Sequence, residues 1–84
     1  MRVIGTIPHP SIRITVMNMN DKFILRFEAG PMEQIYKFDQ QRYPGLGNVQ
    51  KLADDPFVKS VLTVFNTMFT NMKESMERNP GREI

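Results

Sequence analysis

The sequence predicts an α+β fold: an antiparallel meander of three to four strands, then a short helix and a long carboxy-terminal helix packed on one face of the sheet. Up to about residue 38, apolar and polar residues alternate as in half-buried strands, and from about residue 48 apolar residues recur at helical spacing. The chain has 84 residues, which is the size of one domain. We therefore expect a single domain with strands over about 2–39, helices over about 48–78 and a frayed tail over 79–84.

Four segments have strand character. Three of them alternate cleanly and are separated by turn residues, which predicts a meander over 11–17 (SIRITVM), 22–29 (KFILRFEA) and 32–39 (MEQIYKFD). The remaining segment, RVIGTI at 2–7, is short and is followed by two prolines that remove backbone donors. The sequence leaves open whether this segment forms a fourth strand.

Charge predicts the register of the first long hairpin. Asn20 and Asp21 suit the two central positions of a tight hairpin turn. This turn places Arg13 opposite Glu28, an attractive pair. A shift of two residues would place Arg13 opposite Arg26, and like charges that face each other destabilise a sheet. We therefore predict the first register.

Two helices are predicted after the glycine-rich connection at residues 44–47. Asn48 is the candidate N-cap of a short helix with the sequence VQKLAD. Asp55 and Pro56 predict the start of the long helix, because aspartate is a good N-cap and proline suits the first helical position. The Asn-Pro-Gly sequence after Arg78 predicts its end, since the residue before proline disfavours helix.

The long helix has a wide apolar face. At 100° per residue its apolar residues fill an arc of about 160°, whereas one flat contact needs about 100°. Residues 60–72 also carry no charge. A helix of this length is about 34 Å long and the strands span about 25 Å, so the helix should extend past the sheet by about two turns. Met72 and Met76 lie in that extension. The apolar residues of the arc are Phe57, Val58, Val61, Leu62, Val64, Phe65, Met68, Phe69, Met72 and Met76.

This helix supplies the leading functional hypothesis. Loss of charge together with enrichment in methionine and phenylalanine is typical of an interface core. We expect a small non-catalytic interaction module that self-associates as a homodimer, or binds another protein, through the long helix. An alternative stays open, in which the short helix and the amino-terminal segment cover the extra width within one chain. The expected interface residues are Val64, Met68, Asn71, Met72 and Met76.

A weak nucleic-acid binder is the second hypothesis. Four cations on the outward face of the predicted sheet have the chemistry to contact phosphates: Arg13, Lys22, Arg26 and Lys37. Sheets that bind single strands also stack bases on exposed aromatic rings. In this chain the strand aromatics have inward parity, so the stacking surface is missing. The net charge of +2 is also small.

No set of catalytic or metal-binding residues emerges. The chain has no cysteine, which removes thiol chemistry and fits a reducing cytoplasm. His9 is the single histidine and lies between two prolines, so we expect a solvated turn residue. Glu28 and Glu33 fit ordinary cross-strand charges. We expect no enzyme activity, no metal and no cofactor. We also expect no signal peptide and no membrane span, because no stretch approaches about 20 apolar residues.

Overall fold

The computed structural model describes residues 2–82 and has the predicted α+β fold. Four antiparallel strands form one sheet in sequence order. Segment 2–7 is one of them, so the sheet has four strands, a number that the sequence left open between three and four. Both helices follow the sheet, and both contribute residues to one core on its inner face. The elements are β1 (Arg2–Ile7), β2 (Arg13–Met19), β3 (Lys22–Ala29), β4 (Met32–Asp39), α1 (Leu46–Leu52) and α2 (Asp55–Arg78).

Tight turns join the three long strands. Asn20 has a φ of 57° and Gly30 a φ of 58°, each at the first of two turn residues. A positive φ at this position is the pattern of a type II′ turn, whose twist matches that of the flanking strands. Asparagine tolerates this conformation and glycine adopts it without strain. Pro31 follows Gly30, at a position whose negative φ suits proline.

The predicted register of the β2–β3 hairpin is confirmed. Arg13 lies opposite Glu28, and the pairing continues without interruption to Met19 and Lys22. Strands β3 and β4 also pair regularly over their full length. The pairing of β1 with β2 is different, because it contains an irregularity between Val3 and Gly5.

Both predicted helix starts were wrong, by three residues for α1 and by one residue for α2. The N-cap of α2 is Asp54, whose side chain accepts a hydrogen bond from the Phe57 N–H at 3.0 Å. The first helical bond also ends at the Asp54 carbonyl, so Asp55 lies in the first turn. In α1 the N-cap is Gly45, and Asn48 lies inside the helix, where its amide donates to a preceding carbonyl.

The long helix ends at Arg78, as predicted. The Asn79 backbone N–H and the Asn79 side-chain amide both donate to the Ser75 carbonyl at 3.0 Å. These bonds satisfy a carbonyl that would otherwise lack a partner at the helix end. The predicted tail over 79–84 includes residues 83 and 84, which lie outside the described residues.

The core lies between the inner face of the sheet and the two helices. Phe27 is at its centre, where its ring meets Tyr36 and Phe57 edge to face at centroid distances of 5.8 and 5.5 Å. Such contacts add to the energy of apolar burial. The buried residues of the core are Ile12, Ile14, Val16, Phe23, Leu25, Phe27, Val49, Val61 and Phe65.

Helix α2 extends past the end of the sheet. Its 24 residues span about 36 Å, whereas the eight residues of β4 span about 26 Å. Only Val61 and Phe65, both in the first half of the helix, are buried. The result is an elongated molecule with dimensions of 47 × 26 × 20 Å.

Candidate protein-interaction surface

The last turns of α2 present an apolar groove that belongs to the helix alone. Its lining consists of Phe69, Met72, Lys73, Met76 and Glu77. We call residues 69–78 the overhang. Phe69 is 50% exposed and Met76 is 62% exposed, and no other described element lines the groove. An apolar face of this kind, with its charges at one margin, is suited to bind another apolar surface.

The five predicted interface residues occupy different positions. Met72 and Met76 line the groove of the overhang. Met68 is half-buried and packs against the core of its own chain. Val64 is 44% exposed, and Asn71 is also exposed, on the flank of the helix.

Phe69 was missing from the predicted interface. Its place in the apolar arc was visible in the sequence, but whether it packed on the sheet was not. It also lines a second cleft, which begins at the end of the sheet beside Ile12 and Met32 and continues along α2 past Phe65. Phe69 therefore joins this cleft to the groove of the overhang, and one apolar surface runs from the sheet to the end of α2.

Three hydroxyl groups on the uncharged flank of α2 have hydrogen-bond partners within the helix. The hydroxyls of Ser60 and Thr63 donate to the carbonyls four residues earlier at 3.1 Å, and the Thr67 hydroxyl does so at 3.4 Å. Removing water from a hydroxyl group that already has a hydrogen-bond partner costs little free energy, whereas removing water from a charged group costs much. This flank can therefore be buried at low cost.

The four cations proposed for nucleic acid share the outer sheet face with acidic residues. The Nζ of Lys22 lies 3.5 Å from a carboxylate oxygen of Asp39. The guanidinium of Arg26 lies 2.8 Å from a carboxylate oxygen of Glu28 and 3.7 Å from a carboxylate oxygen of Glu33. Arg13 lies opposite Glu28 on the neighbouring strand, and Lys37 is exposed. Since Lys22 and Arg26 are already paired, this face has mixed charge and not a continuous positive potential.

The centre of the outer sheet face is buried, although both helices pack on the other side. Ile24 has no exposed surface and Met17 is 2% exposed. Thr15 is also buried, and its hydroxyl is the one buried side-chain polar atom without a hydrogen-bond partner in residues 2–82. Long side chains on neighbouring strands can cover such a row, as Lys and Arg stems do elsewhere.

The remaining candidate residues have structural roles. Nδ1 of His9 accepts hydrogen bonds from the backbone N–H groups of Ser11 and Ile12 at 3.1 and 3.3 Å, so the imidazole holds the turn before β2. Glu28 and Glu33 lie opposite each other with Arg26 beside both.

Within residues 2–82 no three acidic or histidine side chains group as a metal site would require. Neither described helix has the length and apolar content needed to span a bilayer.

Comparisons of this chain with protein-family models, with curated proteins and with solved structures find no match.

Proposed function

We propose that this chain is a small non-catalytic protein–protein interaction module that self-associates through α2. The observation that carries the proposal is the overhang, whose Phe69 and Met76 side chains are at least half exposed beside Met72 in an apolar groove. A helix that extends past its own sheet needs an external surface to cover its apolar face. Methionine side chains adapt to such surfaces because they are flexible and polarisable.

A second copy of the chain is the proposed occupant. Helix α2 carries apolar residues that project from the overhang and an apolar cleft that begins at the sheet end. A symmetric dimer requires both halves of the contact on one chain, and α2 offers an apolar surface that the α2 of a second copy can cover. The uncharged stretch at 60–72 connects the two, so no unpaired charge is buried between them.

A charge placed in the overhang tests the proposal. The Met72→Glu variant should remain folded and should dissociate at least about tenfold more readily, because the new carboxylate would be buried without a partner. Thr70→Glu is the matched control, since it adds the same charge to the exposed polar side of the same helix. Molecular mass should be measured by light scattering over a concentration series, with circular dichroism to verify folding.

The outcomes separate the alternatives. A wild-type chain that stays monomeric at high micromolar concentration would exclude the homodimer and leave another protein as the partner. An unfolded Met72→Glu variant of a monomeric chain would show that the overhang belongs to the core of its own chain. Equal dissociation of the Met72→Glu and Thr70→Glu dimers would place the interface elsewhere.

Weak nucleic-acid binding through the outer sheet face is the alternative function. The exposed cations Arg13 and Lys37 favour it, and the ion pairs of Lys22 and Arg26 weigh against it. Salt distinguishes the two functions, because binding to phosphates weakens steeply as salt rises and apolar association does not.

We also propose that the protein is cytoplasmic, because its cysteine-free composition fits a reducing compartment.

A further inference from the structure

We propose that two copies of this chain join edge to edge along β4, in an antiparallel register centred on Ile35, and so form one continuous sheet. This inference rests on the proposed self-association and names the contact that determines its geometry. Strand β4 is an edge of the sheet. The other edge, β1, contains an irregularity, which is a common protection against pairing. Strand β4 is regular over all eight residues.

The hairpin between β3 and β4 determines which backbone groups of β4 are free. Ala29 and Met32 flank a two-residue turn, so they exchange backbone hydrogen bonds with each other. Alternate residues of β4 then bond to β3. The residues between them, Glu33, Ile35 and Lys37, direct their N–H and C=O groups away from the sheet. A second strand can bond to all three.

Charge selects one register for this pairing. When two β4 strands pair about Ile35, Glu33 lies opposite Lys37 of the second copy, and symmetry produces this attractive pair twice. A shift of the centre by one residue loses both pairs. A shift by two residues in either direction places Glu33 or Lys37 opposite itself, and like charges that face each other destabilise a sheet. The register centred on Ile35 is therefore preferred over its neighbours.

The side chain of Ile35 supports the same centre. It is 46% exposed on the outer face of this edge strand, so its apolar surface is available to a second copy. Directly opposite residues of antiparallel strands project on the same face. In the proposed register Ile35 meets Ile35 of the second copy, so each covers the other between the two charged pairs.

Helix α2 directs its uncharged flank toward this edge. Val58 and Leu62 line a cleft with Ile7 and Ile14, so one flank of α2 lies toward β1 and β2. The opposite flank lies toward the free edge of β4. Along it, short or uncharged side chains recur at spacings of four, three and four residues: Ser60, Val64, Thr67 and Asn71.

This flank would meet the second copy. Gln34 bonds to Val61, so the first turns of α2 lie beside the symmetry centre and Ser60 and Val64 face the partner helix. Helices pack at about 8–10 Å, which requires small side chains between them. Further along, Met68 and Met72 lead past the sheet end. In the proposed dimer this end lies beside the carboxy-terminal end of β4 in the second copy. The ring centroids of Phe38 and Tyr43 are 5.9 Å apart at that end.

Charge reversal tests the register. Glu33→Lys and Lys37→Glu each convert both attractive pairs into repulsive ones, and each variant alone should dimerise at least about tenfold more weakly than the wild type. An equimolar mixture of the two variants should form a heterodimer, because opposite charges then face each other at both positions. The double variant should regain the wild-type affinity. Affinities should be measured by sedimentation, with circular dichroism as the folding control.

Amide hydrogen exchange gives an independent readout. The Ile35 N–H points away from β3, so in the monomer it should exchange much faster than its neighbours in β4, and in the dimer it should become protected. A wild-type monomer at all concentrations would overturn both the inference and the proposed homodimer. A dimer weakened by Met72→Glu but unaffected by either charge reversal, with Ile35 unprotected, would overturn this inference and leave the proposed function standing. Weakened single variants whose mixture restores the dimer would establish the β4 contact.

Discussion

The side-chain amide of Gln34 donates a hydrogen bond to the backbone carbonyl of Val61 at 2.9 Å, which ties the edge strand β4 to α2. The amide oxygen of Gln34 accepts a second bond from the Tyr36 hydroxyl at 2.6 Å. Gln34 is buried, and both ends of its amide are satisfied. This small network holds α2 in its position over the strand that we propose to be the dimer edge.

Removing the amide should destabilise the fold. Gln34→Ala leaves the Tyr36 hydroxyl without its acceptor, so we expect a loss of about 1–3 kcal/mol in the free energy of unfolding. Tyr36→Phe should cost about 1 kcal/mol, and the double variant should cost less than the sum because the two residues share a bond. Urea denaturation measures all three. The exposed Gln41→Ala variant is the control, and equal losses in Gln34→Ala and Gln41→Ala would show that the network contributes nothing.

The centre of the core should be the most sensitive position. Phe27 is fully buried between Tyr36 and Phe57, so Phe27→Ala should cost about 3–5 kcal/mol and prevents folding if the domain is marginal. Phe69→Ala removes the same side chain from the overhang and should have a much smaller effect on the monomer. Thermal melts of both variants at low concentration make the comparison. Similar melting temperatures would contradict the position of Phe27 in the core.

The two adjacent aspartates should differ in effect. Asp54→Ala removes the N-cap acceptor of α2 and should cost about 1 kcal/mol. Asp55→Ala removes only a charge in the first turn, whose interaction with the helix dipole is worth about 0.3–1 kcal/mol at low salt. The Asp55 effect should therefore disappear in high salt and the Asp54 effect should persist. If urea denaturation shows that Asp55→Ala costs more than Asp54→Ala and that its effect persists in high salt, the N-cap is Asp55.

One substitution on the outer face should stabilise the protein. The Thr15 hydroxyl is buried without a hydrogen-bond partner, so Thr15→Val removes a desolvated polar group while keeping the shape of the side chain. We expect a gain of about 1 kcal/mol in the free energy of unfolding. Thr6→Val on the neighbouring strand is the control, because Thr6 is exposed. A loss of stability in Thr15→Val would indicate that the hydroxyl has a partner in solution, such as water.

Asp39 should contribute to stability in a defined pH window. The backbone N–H of Gln41, with Lys22 as a lesser influence, holds the pKa of the Asp39 carboxyl below its ordinary value of 3.8. A depressed pKa means that the contribution is complete above pH 3.8 and is lost as the pH falls through the folded-state pKa. NMR titration of the carboxyl carbon measures this pKa. Lys22→Met should raise the pKa only partway, and a full return to 3.8 would mean that Lys22 is the main cause.

The type of each strand and helix, and their order along the chain, could be predicted from the pattern of residues alone. Alternation with period two located the strands, because successive side chains of a strand point to opposite faces. The two-residue turn at Asn20 and the charges of Arg13 and Glu28 were enough to set the β2–β3 register. The length of α2 followed from its end signals, so the overhang with Met72 and Met76 was predictable from the lengths of helix and strand.

Other features depended on the tertiary structure. Two adjacent aspartates have the same capping chemistry, and only the folded chain shows that Asp54 is the cap. The Gln34–Val61 bond joins residues 27 positions apart, so no local pattern indicates it. The burial of Ile24 on the face without helices likewise depends on side chains from neighbouring strands. Periodicity reports local backbone geometry, whereas burial and polar pairing depend on which distant residues the fold brings into contact, and those were visible only in the folded chain.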